Sequence, residues 1–452
     1  MVKVRCVHQM PQSPVFLGGF DLDNPALVDQ LAWESGYYFS EAKKVPASLL
    51  MPAFFQMVQS GKNNLRDWAL RIGVMSGKTL HKSSLHDRLG PRTLGFSQAI
   101  LRSVMEGQME RVRSAAGLPV AESGLLGKFG NVFLSDSTCS KLPPCLSAHF
   151  PSSHSQGEPT ATLRVQAVYN YTHSTFDLFE LGSYRANDQG AADLVLEVAQ
   201  RGDLVLRDLG YFVLANLRKM GQLGVFFVSK HRPGISFYDP QTGAEIDLLT
   251  LFKGKNRVDM SVLAGAKEKV PLRLVAQKLP EEVARQKKER ARKDRNKKTN
   301  HSEAYYEELE WAIFLTNVGE GLLSAQEVAL IYRLRWFIEI VFKAWKSHFN
   351  FAKVLEVPKM NYWRTLITIN LMLAHIAHTS LATYNYIKEG VEKITKRPLS
   401  ILKYLDVFSS LAAQLSTIRH LEELDPLIPQ FALHATYEAR KKRKNIKELY
   451  IC

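Results

Sequence analysis

Residues 24–115 place apolar side chains at intervals of three and four, as in PALVDQLAWESGYYF and FSQAILRSVME. That spacing gathers them on one helix face and predicts a helical N-terminal region. Turn-rich pieces such as SGKTLHKSSLHDRLGPRT separate its helices. From Gly127 the period changes. NVFLSD is a short apolar run ending in Asp136. LRVQAVYNY alternates Leu163, Val165, Ala167 and Tyr169 against Arg164, Gln166 and Asn170, a strand period. TFDLFELG is its expected hairpin partner. AADLVLEVAQR reads as helix and leads to DLVLRDLGYF, a second apolar run ending in an acid, Asp208. LANLRKM then reads as helix and VFFVSK as strand. The succession predicts an α/β fold, a mixed sheet flanked by helices.

Residues 233–310 interrupt that alternation and read as a mostly β insertion. ISFYDPQTGAEIDLL holds a hairpin-like turn, and VDMSVL and LRLVAQ are expected strands. Residues 285–298 follow with nine basic and two acidic residues, a run that is usually a flexible solvated loop and can also meet phosphates. WAIFLTN resumes an apolar strand. Ser324 is then placed to cap one long helix, SAQEVALIYRLRWFIEIVFKAWKSHF. Residues 351–452 are mainly helical and end in a basic stretch at 440–444.

Charge narrows the range of partners. Fifty-nine Lys and Arg against 44 Asp and Glu leave a net +15, and such an excess favours a polyanion, usually nucleic acid. The basic turn-rich piece near the N-terminus therefore suits a small DNA-binding helical module, with a plain helical cap as the other reading. Cys6, Cys139, Cys145 and Cys452 form no CxxC pair. A zinc site or disulfide framework is not expected, in keeping with a reducing cytoplasm. The N-terminus lacks the apolar core of a signal peptide. The apolar stretch Leu366 to Tyr384 carries Thr, Asn, His and Ser within it and reads as a buried helix rather than a membrane span.

Two runs share one grammar: apolar residues, a polar residue, then Asp. Asp136 and Asp208 are thus expected at or near the C-terminal ends of sheet strands, where acids converge on a common point. Two metal ions about 3.5–4 Å apart need such a convergence, and oxygen ligands suit Mg²⁺ or Mn²⁺. An Asp at a strand end is also a common turn former or helix cap. On the helix after Ser324, at about 100° per residue, Tyr332, Arg335, Glu339 and Lys346 fall within an arc of roughly 60°. That stripe is either a solvated face with an Arg335–Glu339 pair or a third carboxylate flanked by phosphate-binding groups.

Tyr332, two residues, Arg335, three residues, Glu339, six residues, Lys346 resembles the Y-x2-R-x3-E-x6-K signature of the DDE transposases of bacterial insertion sequences. FLSDST and DLVLRDLGYF resemble the family's two aspartate strands, and FLTNV lies just before its signature helix. The resemblance implies an RNase H-like catalytic core over residues 126–350, with a β-rich insertion at 233–310. It implies a helical DNA-binding region at 1–125 and a helical dimerisation region at 351–452. The family's catalytic and metal-holding acids fall on Asp136, Asp208 and Glu339, holding two Mg²⁺ or Mn²⁺ ions. Tyr332, Arg335 and Lys346 take the role of contacting phosphates at the element's end. Trp311 matches the place of a tryptophan that stacks on a flipped base in relatives that cut through a DNA hairpin. Trp336 is a second candidate for bracing DNA, and core packing is the alternative for both. Lys230 resembles a basic DNA contact, although the arginine usual near its strand is missing.

The expected protein is a cytoplasmic bacterial enzyme that binds double-stranded DNA, works as a homodimer and touches no membrane. It cuts the ends of an insertion sequence and joins them to target DNA. A catalytically silent transposase-derived DNA-binding protein and a structure-specific RNase H-like nuclease are the alternatives.

Overall fold

A computed structural model describes residues 2–5, 24–39, 45–60, 62–115, 124–152, 159–293, 302–357, 360–411 and 421–438. The strands are β1 (Val2–Arg5), β2 (Val132–Leu142), β3 (Ala161–Asn170), β4 (Thr175–Ser183), β5 (Leu204–Arg207) and β6 (Phe226–Lys230). They continue as β7 (Phe237–Tyr238), β8 (Glu245–Ile246), β9 (Arg257–Ala264), β10 (Val270–Lys278) and β11 (Trp311–Thr316). The N-terminal helices are α1 (Pro25–Glu34), α2 (Ala47–Gln59), α3 (Leu65–Ser76), α4 (Lys82–His86) and α5 (Pro91–Ala115). Between and after the strands lie α6 (Leu214–Leu223), α7 (Leu248–Phe252), α8 (Glu281–Arg292), α9 (Glu303–Glu308) and α10 (Ala325–Ile331). The C-terminal helices are α11 (Trp336–His348), α12 (Phe351–Leu355), α13 (Tyr362–Thr395), α14 (Ile401–Ser410) and α15 (Ile428–His434). The fold is mixed α/β. The chain divides into two compact units, the first being 1–121, 137–186 and 337–452, the second 122–136 and 187–336.

In the first unit the helices pack through aromatic contacts. Trp68 of α3 lies 5.1 Å from Phe54 of α2 and donates its indole N–H to the Leu50 carbonyl at 2.9 Å. The long helix α13 is buried from Leu366 through Ala377 apart from polar contacts such as Asn370 to Ser97. This matches the buried helix expected there, and among the described residues no helix is long and apolar enough to cross a membrane. The expected hairpin is present: β3 and β4 pair antiparallel, and β1 adds to the far edge of β4. Trp345 of α11 lies against Phe176 and Phe179 of β4, which fixes α11 on that hairpin.

In the second unit β2 and β5 are parallel, with Val132 opposite Leu204 and Ser135 opposite Arg207. Parallel pairing continues to β6, and β11, β10, β9, β7 and β8 extend the same sheet antiparallel. The insertion read from the sequence thus adds strands to this sheet. Helix α6 crosses between β5 and β6 and ends at Gly224. Its φ of +72° favours glycine, and a Cβ there would lie 3.0 Å from the Arg201 side chain.

Before residue 300, three expectations differ from what is observed. AADLVLEVAQR forms turns and one short 3-10 segment, Leu194–Glu197, instead of an α-helix. It ends at Gly202 (φ +92°) and at the buried Asp203, whose carboxylate binds the Gln200 amide and halts any helix. The described part of the basic run is not a loop but the end of α8, where Glu282 bonds Arg285 and Gln286 one turn on at 2.6 and 3.0 Å. Residues 294–298 of that run and the basic stretch 440–444 lie outside the described residues. Finally, β2 runs on past Asp136, because Thr138, Ser140 and Leu142 are buried and alternate with more open neighbours.

Asp203 also sets the parallel register. Its Oδ1 accepts from the Asn131 backbone N–H at 2.8 Å and the Asn131 side-chain amide at 3.0 Å, tying the start of β5 to the start of β2. Removing a buried acceptor that satisfies three donors costs about 3 kcal/mol. Asp203→Ala should therefore lower the urea midpoint of unfolding by a matching amount. An unchanged midpoint would show that strand pairing alone holds this register.

Candidate active site

Asp136 and Asp208 each follow directly on the last paired residue of their strands, Ser135 and Arg207. Carried one step further, the register sets them side by side on neighbouring strands, which run about 4.8 Å apart. Neither is in the core: their side chains are 16% and 50% exposed. Arg335 answers both, its Nη1 lying 3.8 Å from Asp136 Oδ2 and 3.8 Å from Asp208 Oδ1.

Arg207 separates the roles of adjacent residues on β5. Its side chain is buried and donates to the Ala192 carbonyl at 2.6 Å and to the Asn216 side chain. Burial pushes its guanidinium down to about 10, against the opposing charges of Tyr211 and Asp193. Its carbonyl accepts the Tyr332 hydroxyl at 3.2 Å. Strand alternation then turns Asp208 to the other face.

The loop that delivers Tyr332 is held from below. Arg273 of β10 grips Asp259 of β9 with two bonds of 2.7 and 2.6 Å and donates to the Val318 and Leu323 carbonyls at 3.1 and 2.6 Å. Asn317 seals β11 onto β6, taking the Phe227 amide at 2.9 Å and giving to the Val225 carbonyl at 2.8 Å. Ser324 caps α10 in a reciprocal capping box with Glu327, the cap the sequence predicts.

The single long helix expected after Ser324 is interrupted. Residues Tyr332–Arg335 form a 3-10 turn between α10 and α11. At three residues per turn, Tyr332 and Arg335 eclipse one another and present their side chains to the same side. Tyr332 is buried, and burial pushes its phenol well up, opposed by the charge of Arg335. Lys230, exposed at the end of β6, has its Nζ 5.7 Å from the Tyr332 ring centre.

The remaining candidates differ in setting. Trp336 is 56% exposed beside Arg335, whose guanidinium lies 5.5 Å from its ring. Trp311 is 7% exposed and stacks on Phe252 at 4.2 Å, the core packing its sequence context left open. Glu339 and Lys346 belong to the first unit, on α11, where Glu339 is half-buried and Lys346 exposed. Seven residues apart, they lie two turns along one face. The second unit therefore brings together Asp136, Asp208, Arg335, Tyr332 and Lys230. Among the described residues no group of three or more His, Cys, Asp or Glu is gathered to hold a metal ion. Sequence reading missed Asp203 and Arg207 because a single acid or base at a strand boundary carries no periodic signal.

Tyr332→Phe removes the donor to the Arg207 carbonyl. It should cost about 1 kcal/mol in urea unfolding; a loss near zero would mean that water replaces the hydroxyl without penalty.

The description of the family "Transposase DDE domain" matches residues 127–355, about half of the chain. The transposase for insertion sequence element IS231B of Bacillus thuringiensis subsp. berliner is 23% identical over 347 residues, covering 72% of this chain and 71% of its own. The transposase for IS1151 of Clostridium perfringens is 26% identical over 322 residues, 65% of each chain. A solved piggyBac transposase synaptic complex with hairpin DNA aligns with 89% of this chain and 81% of its own at 11% identity and a TM-score of 0.41, too slight a likeness to carry an argument. By its domain and its relatives, this chain belongs to the DDE transposases, enzymes that cut DNA strands and transfer them.

Proposed function

We propose that the chain binds the two ends of an insertion sequence, cuts them and joins them to target DNA, with Asp136, Asp208 and Glu339 as its metal-holding acids. The observation that carries this reading is the pair Asp136 and Asp208, set side by side by the parallel register and faced by Arg335. Dependence on a divalent metal follows from membership of the family. The residues fit such an ion. The donors are carboxylate oxygens only, which suits a hard cation, and the pair already draws a positive charge to within ion-pair distance of both.

We assign Asp136 and Asp208 to hold Mg²⁺ or Mn²⁺, two ions per active site, with Glu339 of α11 completing the set. When bound, such ions activate an attacking hydroxyl and neutralise charge on the leaving oxygen. The protein's own groups do the rest. Arg335 is a two-pronged phosphate ligand and orients the strand for in-line attack. Lys230 and Lys346 add point charges that offset phosphate repulsion. Tyr332 has its hydroxyl on the Arg207 carbonyl and positions the end of β5. Trp336, exposed beside Arg335, is the better placed of the two tryptophans to stack on a base. Trp311 would first have to leave Phe252.

The antiparallel β3–β4 hairpin after β2, and the parallel β2, β5 and β6, support an RNase H-like core. Residues 1–125 as a DNA-binding region and 351–452 as the contact of a homodimer complete the arrangement we propose. The net charge of +15 supports a double-stranded DNA partner.

Asp136→Asn, Asp208→Asn and Glu339→Gln should each abolish Mg²⁺-dependent cleavage of a duplex bearing the element's end, while binding to that duplex persists. Chelation should stop the wild-type enzyme, and added Mg²⁺ or Mn²⁺ should restore it. Near-normal cleavage by any one variant removes that residue from the site. Nicking without strand-transfer products would reduce the protein to a nuclease.

A further inference from the structure

The turn that joins α7 to β9 gathers positive charge and no acid. Lys253, Gly254, Lys255, Asn256 and Arg257 are all exposed, as are Gln277 and Lys278 at the end of β10. The pairing of β9 with β10 sets Arg257 opposite Gln277, and the Lys278 amide donates to the Asn256 carbonyl at 2.9 Å. Lys253, Lys255, Arg257 and Lys278 thus share one corner of the sheet. Among the described residues no carboxylate lies within ion-pair distance of any of them. Glu310, which precedes the Lys278 partner Trp311, is taken by Lys288 at 2.6 Å.

The backbone of this corner is held in one place. The Phe252 carbonyl accepts the Lys255 amide at 3.0 Å, Lys253 has φ −58° and ψ 124°, and Gly254 has φ +73°. These angles make a type II turn, whose third position needs the left-handed region that glycine tolerates. The ring of Phe252 stacks on Trp311 at 4.2 Å, which roots the turn on β11.

The corner also lies at the end of the sheet that carries the acids. Leu206 pairs with Val228, so Asp208 falls level with Lys230; Lys230 pairs with Phe314 of β11, and Lys278 of β10 pairs with Trp311. From the acids outward the strand order is β2, β5, β6, β11, β10, β9. At about 4.8 Å per strand and about 3.3 Å per residue, Lys278 and Arg257 stand on the order of 15–20 Å from Asp208. With a rise of about 3.4 Å per base pair, a duplex cut at the acids reaches the corner about five base pairs along. Only β10 pairs with this end of β9, since β7 joins it at Leu263 and Ala264. Exposed cations on such an open edge also deter pairing with a strand of another chain.

We propose that Lys253, Lys255, Arg257 and Lys278 form a phosphate-binding corner that grips the backbone of duplex DNA to one side of the bond being cut. This rests on the reading of Asp136 and Asp208 as the cleavage site. Each phosphate that a cation neutralises contributes about 0.9 to the slope of log affinity against log salt.

The test measures binding of the full-length protein to a fluorescent duplex bearing the inverted repeat that borders the coding sequence, across a salt series with Ca²⁺ in place of Mg²⁺. Combining Lys253→Gln, Lys255→Gln, Arg257→Gln and Lys278→Gln should lower the slope by about two units or more and weaken binding roughly fiftyfold or more at about 0.1 M salt. The charge-keeping set Lys253→Arg, Lys255→Arg, Arg257→Lys and Lys278→Arg should retain both. Single phosphates are also replaced by neutral methylphosphonates along the duplex. About five base pairs from the cut, such replacements should weaken the wild type and leave the glutamine variant unchanged. A smaller fall in slope overturns the proposal and leaves the cations as protection of an open strand edge. A fall with no coupled phosphate also overturns it, since the effect would then be diffuse charge. Cleavage by Asp136→Asn in Mg²⁺ is scored in parallel. If that variant cuts, the reading of the acids has failed independently of the corner.

Discussion

Holding two carboxylates beside each other without a compensating cation costs energy, and the second unit is organised around meeting that cost. Adjacent parallel strands bring equivalent residues within about 5 Å, where two negative charges repel unless a positive one intervenes. The structure places Arg335 at ion-pair distance from both acids. The pairing distances of 3.8 Å are long for a bonded fork. A contact of that length still supplies compensating charge to both carboxylates. The half-exposed Asp208 has the greater access to solvent and ligand.

The residues that position the pair are held by hydrogen bonds within the protein. Asp203 fixes the β2–β5 register with three accepted bonds, and Arg207 anchors the end of β5 from the opposite face. Arg273 holds the loop before α10 by its carbonyls. The pattern separates two kinds of charged residue. Buried ones, such as Arg207 and Arg273, have every partner within the protein. At the edge of the site, Lys230 lies over the Tyr332 ring and Arg335 within 3.8 Å of both acids.

The sequence disclosed those parts of this design that repeat or alternate. The two runs NVFLSD and DLVLRD became the parallel strands, LRVQAVYNY and TFDLFELG became the β3–β4 hairpin, and Ser324 became a capping box. What failed depended on long-range partners. AADLVLEVAQR has helical periodicity, yet Asp203 takes the Gln200 amide and a 3-10 turn results. Apolar spacing could not show that β2 outlasts its pairing with β5, since the buried positions of the continuation include polar Thr138 and Ser140. A charge run looked solvated because composition ignores the inward period of Ala284, Lys287 and Ala291. The sequence left Trp311 open between base stacking and core packing, and its ring meets Phe252. The strand-end positions of Asp136 and Asp208 were legible from local grammar; the residues that fix those strands were not.

The spacing of the signature itself has a geometric meaning that a uniform helix hides. Tyr332 and Arg335 are three apart and occupy a 3-10 turn, in which three residues complete one revolution. Glu339 and Lys346 are seven apart and occupy an α-helix, in which seven residues make nearly two revolutions. Each half of the motif therefore matches the period of the helix that carries it, and each aligns its own pair on one side. A continuous α-helix would rotate Arg335 about 60° away from Tyr332, so the tight turn is what allows one residue to brace β5 while the other faces the acids. An inserted or deleted residue between Tyr332 and Arg335 would keep every chemical group of the motif and still separate these two tasks.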